Sequence, residues 1–94
     1  MDTSTFEAEL RRDGYQEILT RTAKPGLTPL HTHPFDAYAV VLSGEMTVAW
    51  EGGSVTCKVG DTFKLDAGRE HTENYGPEGA TYLVGRRTRE ATAA

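Results

Sequence analysis

Residues 31–45 read HTHPFDAYAVVLSGE. The stretch holds two of the chain's three histidines, His31 and His33, one residue apart. In a strand, residues i and i+2 point to the same side, roughly 6.5–7 Å apart. Both imidazoles therefore face one way. Pro34 keeps His33 extended, because a proline ring disfavours the α region for the residue before it. Imidazole ligates Zn, Fe, Ni and Cu. Two exposed polar residues on a strand are the plain alternative, and the spacing alone does not choose.

The third histidine, His71, lies in AGREHTEN, after a turn, a short strand and a second turn in VGDTFKLDAG. Three imidazoles with open positions left over suit a catalytic rather than a closed structural metal centre. Glu73 stands two residues after His71 and shares its face. It has three candidate roles: metal ligand, acceptor from metal-bound water, or general base. A solvated surface glutamate is its plain reading.

Around these residues the chain reads as all-β with one short N-terminal helix. Ser4 and Glu7 form a capping-box pattern, Phe6 and Leu10 share a helical face, and Gly14 is a natural stop. The helix is expected over about Thr5 to Asp13. Beyond Gly14, short runs rich in Val, Thr, Tyr and Leu alternate with Gly, Pro and Asp. They predict strands at Glu17–Thr22, Leu27–His33, Ala37–Leu42, Met46–Trp50, Ser54–Lys58, Thr62–Leu65, His71–Tyr75 and Thr81–Arg86. A closed barrel or jelly roll suits them and protects their edges.

One hairpin is predicted in register. With Gly52-Gly53 as a two-residue turn, Glu51 faces Ser54, Trp50 faces Val55, Val48 faces Cys57 and Met46 faces Val59. These apolar residues then share one side, and Cys57 is a buried hydrophobe rather than a nucleophile. Phe35, Tyr38, Met46, Val48, Trp50, Phe63, Tyr75 and Tyr82 supply the bulk of the barrel lining.

Ninety-four residues make one domain: helix over about 1–14, barrel over about 15–87, and an alanine-rich tail, 88–94. The net charge of −4 and the lack of long basic runs point away from nucleic acid and anionic membranes. Arg86, Arg87 and Arg89 read as a solvated strand end. The single cysteine excludes an internal disulfide. No signal peptide or membrane-spanning run is legible, so a cytoplasmic protein is expected.

Gly26, His31, His33, Gly44, Gly60-Asp61, Gly68 and His71 together resemble the two motifs of the cupins, over about Leu27 to Arg87. The resemblance implies a jelly-roll β-barrel, often a homodimer, with one divalent metal inside. It implies His31, His33 and His71 as the histidine ligands. The family's glutamate does not carry over: the position seven before Gly44 is Ala37. Asp36, its neighbour, points the other way on a regular strand and reaches the site only through a bulge. Glu73 is the better candidate for the missing carboxylate. The expected function is a small-molecule enzyme with a three-histidine centre holding Fe, Mn, Ni, Zn or Cu. Its chemistry is dioxygenase-like, or metal-assisted isomerisation or lysis. A non-catalytic small-molecule or metal-binding module is the alternative.

Overall fold

The computed structural model describes residues 2–88. Helix α1 (Thr3–Arg12) precedes six strands: β1 (Glu17–Ala23), β2 (Gly26–His31), β3 (Phe35–Trp50), β4 (Gly53–Cys57), β5 (Thr62–Leu65) and β6 (His71–Thr88). All pairings are antiparallel, in the order β1-β6-β3-β4, with β2 on β6 and β5 on β3. The result is the expected jelly-roll β-barrel.

Its frame is two long bent strands. Each replaces a pair of short strands predicted from the sequence. The first part of β3 pairs with the end of β6, and the end of β3 pairs with the start of β6. Between them the register shifts at Val41–Ser43 and Gly44–Met46, which are bulges that turn the strands round the barrel. Gly44 (φ 73°) and Gly79 (φ 75°) sit at this corner. A Cβ on Gly44 would run into the Gly79 carbonyl oxygen, and one on Gly79 into the Ala23 carbonyl oxygen. Only glycine supplies both the left-handed backbone and the close approach. The chain thus bends where two short strands would otherwise end.

Strand alternation on β3 sorts the core into two clusters. Ala37, Ala39 and Val41 face the barrel interior with Met46, Val48, Phe63 and Val84. Tyr38 and Val40 face outward and are covered by Phe6 and Leu10 of α1, with Tyr15 and Leu83. Tyr38 is therefore not barrel lining: its ring meets Phe6 edge-on at 4.9 Å, and its hydroxyl donates to Glu9 at 3.0 Å.

The helix is capped by Asp2 rather than by Ser4. The Asp2 carboxylate accepts from the Ser4 amide at 3.0 Å and from the Ser4 hydroxyl at 2.6 Å. A carboxylate two residues ahead outcompetes the hydroxyl as an acceptor for the helix's free amides. At the other end, Gly14 (φ 85°) closes a Schellman motif, with Gly14 N–H donating to Arg11 and Tyr15 N–H to Leu10.

The β3–β4 hairpin turns one residue earlier than predicted, which slips its register by two. Trp50 pairs with Gly53, Val48 with Val55 and Met46 with Cys57. Gly52 (φ 94°) turns the chain together with Glu51, and the Trp50 indole lies over Gly53, where a Cβ would sit 3.2 Å from Nε1. A two-residue slip equals the pleat period, so the interior face keeps Met46, Val48 and Cys57. Val59 alone leaves it, 58% exposed beside the Gly60-Asp61 turn.

Arg87 is no solvated strand end. Its Nε and Nη2 donate to Asp36 Oδ2 at 3.2 and 3.1 Å, and its Nη1 donates to the Asp13 carbonyl at 2.9 Å. It thus pins the helix terminus to the barrel. Thr88, placed in the tail by the sequence, belongs to β6. Arg89 and the rest of the expected tail lie outside the described residues. Among the described residues no helix is long and apolar enough to cross a membrane.

Candidate metal centre

Strands β2 and β6 bring the histidine segments together. His31 pairs directly with His71 in the β2–β6 register. The His33 carbonyl accepts from the Gly68 amide at 2.9 Å, which ties the two histidine loops to each other. Gly68 (φ 80°) makes the turn that precedes His71. Glu73 and Tyr75 follow His71 at two-residue steps on β6 and face the same side.

All three rings are held by the same device. Nδ1 of His31 lies 2.8 Å from the Pro29 carbonyl, Nδ1 of His33 2.8 Å from that of Phe35, and Nδ1 of His71 2.9 Å from that of Arg69. A carbonyl oxygen only accepts, so each Nδ1 carries the proton and each Nε2 of a neutral ring has a free lone pair. This is how metal-ligating imidazoles are set.

His31, His71 and Glu73 each place a donor atom within 4.8 Å of the other two. His71 is fully buried. His33 stands beside that group, its ring centroid 5.1 Å from His71 and 6.4 Å from His31. It stacks on Phe35 at 4.2 Å, with planes 5° apart. Burial lowers its pKa, which favours the neutral, ligating form at neutral pH.

Glu73 is oriented at both oxygens. Its Oε2 is 3.3 Å from His71 Nε2, and its Oε1 accepts from the Tyr75 hydroxyl at 2.6 Å. Burial, and then the bond to Glu73, push the Tyr75 phenol far above its ordinary range, so it stays protonated and donates. With His71 Nδ1 donating to the Arg69 carbonyl, the facing Nε2 and Oε2 are bridged either by a cation or by a proton. The donor set of neutral nitrogens and one oriented carboxylate fits a divalent transition metal.

Asp36 takes no part. It lies on the outer face of β3, buried, with Oδ1 accepting from the Ala67 amide at 2.9 Å and Oδ2 engaged by Arg87. No bulge interrupts β3 between Phe35 and Val41, so it stays on the side opposite Ala37. Ala37 itself is buried and lines a cavity of about 240 Å³ together with His31, His33 and Glu73. Phe63, Leu65 and Val84 form its apolar wall. Arg21 and Arg86 also line it. The sequence reading missed these two, although the two-residue step Tyr82, Val84, Arg86 was the available signal.

Cys57 is fully buried, its Sγ 3.8 Å from the Thr62 carbonyl. Burial raises its pKa, in keeping with a core residue rather than a nucleophile.

Comparison with known proteins agrees with this architecture. The sequence matches the cupin domain family over residues 19–85. No protein of curated function matches the chain. A Rhizobium leguminosarum bv. viciae protein of unknown function is similar in structure, with a TM-score of 0.73 and 25% identity over 77% of this chain and 69% of that one. A Klebsiella pneumoniae protein with a double-stranded β-helix domain gives 0.63 and 26% identity, over 79% and 68%. A variant of Bacillus subtilis oxalate decarboxylase gives 0.62 and 25% identity, over 76% of this chain but 20% of that one.

Proposed function

Since this chain belongs to the cupin family, we propose that it holds a divalent transition metal on His31, His71 and Glu73, with His33 beside them, and acts on a small molecule in the adjoining cavity. The observation that carries this reading is the common setting of the three imidazoles: every Nδ1 is fixed on a backbone carbonyl and every Nε2 is left to ligate. Glu73 takes the part of the carboxylate that Ala37 lacks, entering from β6 instead of β3.

A divalent ion held there supplies Lewis acidity to a bound oxygen atom. The protein's own residues do the rest. The Tyr75 hydroxyl keeps its proton and donates to Glu73 Oε1, which fixes the carboxylate's direction. Phe35 packs flat on His33 and limits its rotation. The apolar wall excludes water from one side of the cavity. At about 240 Å³, the space falls below the roughly 300–1,000 Å³ typical of drug-sized ligands. It suits a small metabolite. A structural neighbour that is an oxalate decarboxylase supports small-molecule chemistry in such a barrel.

The reaction class is metal-assisted: either oxygen chemistry on a thiol or diketone, or isomerisation or lysis. The metal-loaded protein, screened against thiols, diketones and keto acids with oxygen uptake and product formation followed together, tests this. Turnover that disappears in His71→Ala supports an enzyme. Saturable binding of the same compounds without turnover contradicts catalysis and leaves a binding module.

A further inference from the structure

Two arginines, Arg21 and Arg86, line the cavity with His31 and His33. Arg86 faces inward on β6, opposite Ala37 on β3 and Glu17 on β1. Its guanidinium lies 4.5 Å from the centre of the Phe35 ring, the ring that stacks on His33. Its carboxylate contact, Glu17, is 3.3 Å away and 64% exposed, so solvent screens the pair. Arg21 faces the same wall opposite Tyr82, and forms no ion pair among the described residues. The one acidic residue in the wall is Glu73, whose oxygens are engaged by His71 and Tyr75. Positive charge therefore exceeds negative in this cavity, although the whole chain is acidic.

Position 37 sharpens the point. Directly opposite residues on paired strands have Cβ atoms about 4.5–5.5 Å apart. A carboxylate at position 37 would be within reach of Arg86. Ala37 leaves a methyl group there, and with it room beside a guanidinium whose carboxylate contact is the exposed Glu17. A low-dielectric wall strengthens the pull of that cation on an anion.

We propose that the cavity takes a small organic carboxylate, its anionic group lying beside Ala37 and held by Arg86, with Arg21 adding attraction from the β1 side. The ligand would bring in the negative charge that the chain omits at position 37. This inference rests on the small-molecule reading of the same cavity and names its substrate class.

Calorimetric titration with malonate and with its uncharged analogue malonamide tests it, on protein as purified and after chelator treatment, with metal content measured in parallel. Malonate is expected to bind at least about tenfold more tightly than malonamide, the margin of a charge-assisted pair over a neutral one. Arg86→Gln should remove the preference with metal content unchanged, and Arg86→Lys should keep part of it. Ala37→Glu should also remove it, because the new carboxylate would take Arg86 for itself. Equal affinity for the two probes, binding of neither, or a preference that survives both Arg86→Gln and Ala37→Glu would overturn the proposal. Metal loading without an Arg86-dependent preference overturns this inference alone. Such a preference in a protein that takes up no metal overturns the metal assignment alone.

Discussion

His71 Nε2 and Glu73 Oε2 stand 3.3 Å apart, while Nδ1 of the same ring is spent on the Arg69 carbonyl at 2.9 Å. Two facing acceptors at that distance are satisfied only by a cation or a shared proton. With His31 in the same cluster, a metal ion is the economical answer. Glu73→Gln keeps the size of the side chain and removes its charge. As a ligand, Glu73 predicts that this variant loses at least about tenfold in metal affinity, measured by competition against a chromogenic chelator. Full metal affinity with lost turnover would make it a general base instead.

Tyr75 is predicted to act through Glu73. Tyr75→Phe removes the 2.6 Å bond to Oε1 and leaves the ring in place. Loss of such an orienting partner costs about 10–100-fold in metal affinity. The same chelator competition reads it, and the thermal midpoint reports whether the fold is spared. Unchanged affinity would make the bond a packing detail.

Asp36 and Arg87 are predicted to matter for stability and not for metal. Asp36→Ala leaves Arg87 without its carboxylate partner, and Arg87→Ala takes the cationic partner from a buried carboxylate that keeps the Ala67 amide. Breaking a buried pair costs about 3–5 kcal/mol, and the 40% exposure of Arg87 places this one at or below the low end. Urea unfolding measures the loss. Metal content of Asp36→Ala should equal that of wild type; a reduced content would return Asp36 to the ligand set.

Gly44→Ala should be far more costly than Gly52→Ala. Both positions have positive φ, a conformation that costs other residues about 1–2 kcal/mol. At Gly52 nothing lies within 4 Å of an added Cβ, whereas at Gly44 the Gly79 carbonyl oxygen blocks it. Urea midpoints of the two variants compare them. Equal losses would show that the corner between β3 and β6 yields more easily than its geometry implies.

Alkaline pH is predicted to weaken the fold. Burial raises the pKa values of Cys57, Tyr15 and Tyr38. Each acid then holds its proton more tightly folded than unfolded, so its contribution is complete below the unfolded pKa, 9.0 for the thiol and 10.0 for the phenols. It is lost as pH rises through the higher folded values. Thermal midpoints should fall as pH rises above 9.0. Cys57→Ala should shed part of that slope, and an unchanged slope would remove the thiol from this account.

Much of the barrel was legible because strand faces follow a period of two. The β3–β4 hairpin slipped by two residues and still kept Met46, Val48 and Cys57 inside. What sequence could not show was continuity. The predicted strands stop at Leu42 and Tyr75 and resume at Met46 and Thr81, whereas in the fold Gly44 and Gly79 are corners of strands that continue. Ala37 was legible as a gap, and Glu73 as the carboxylate nearest to filling it, through its two-residue spacing from His71. Arg86 and Arg87 looked alike in a basic run. Adjacent residues on a strand face opposite sides, so one reaches the cavity and the other pins the helix. The alternation Tyr82, Val84, Arg86 carried that division, whereas the side that α1 covers is set by tertiary packing.

Elemental analysis of the purified protein, after growth with Fe, Mn, Ni, Zn and Cu, tests the central claim most directly. The account predicts about one equivalent of a transition metal per chain in wild type and less than about a tenth of that in His71→Ala. Wild-type protein that holds no metal under any of these conditions, or a His71→Ala variant that loads fully, would contradict it.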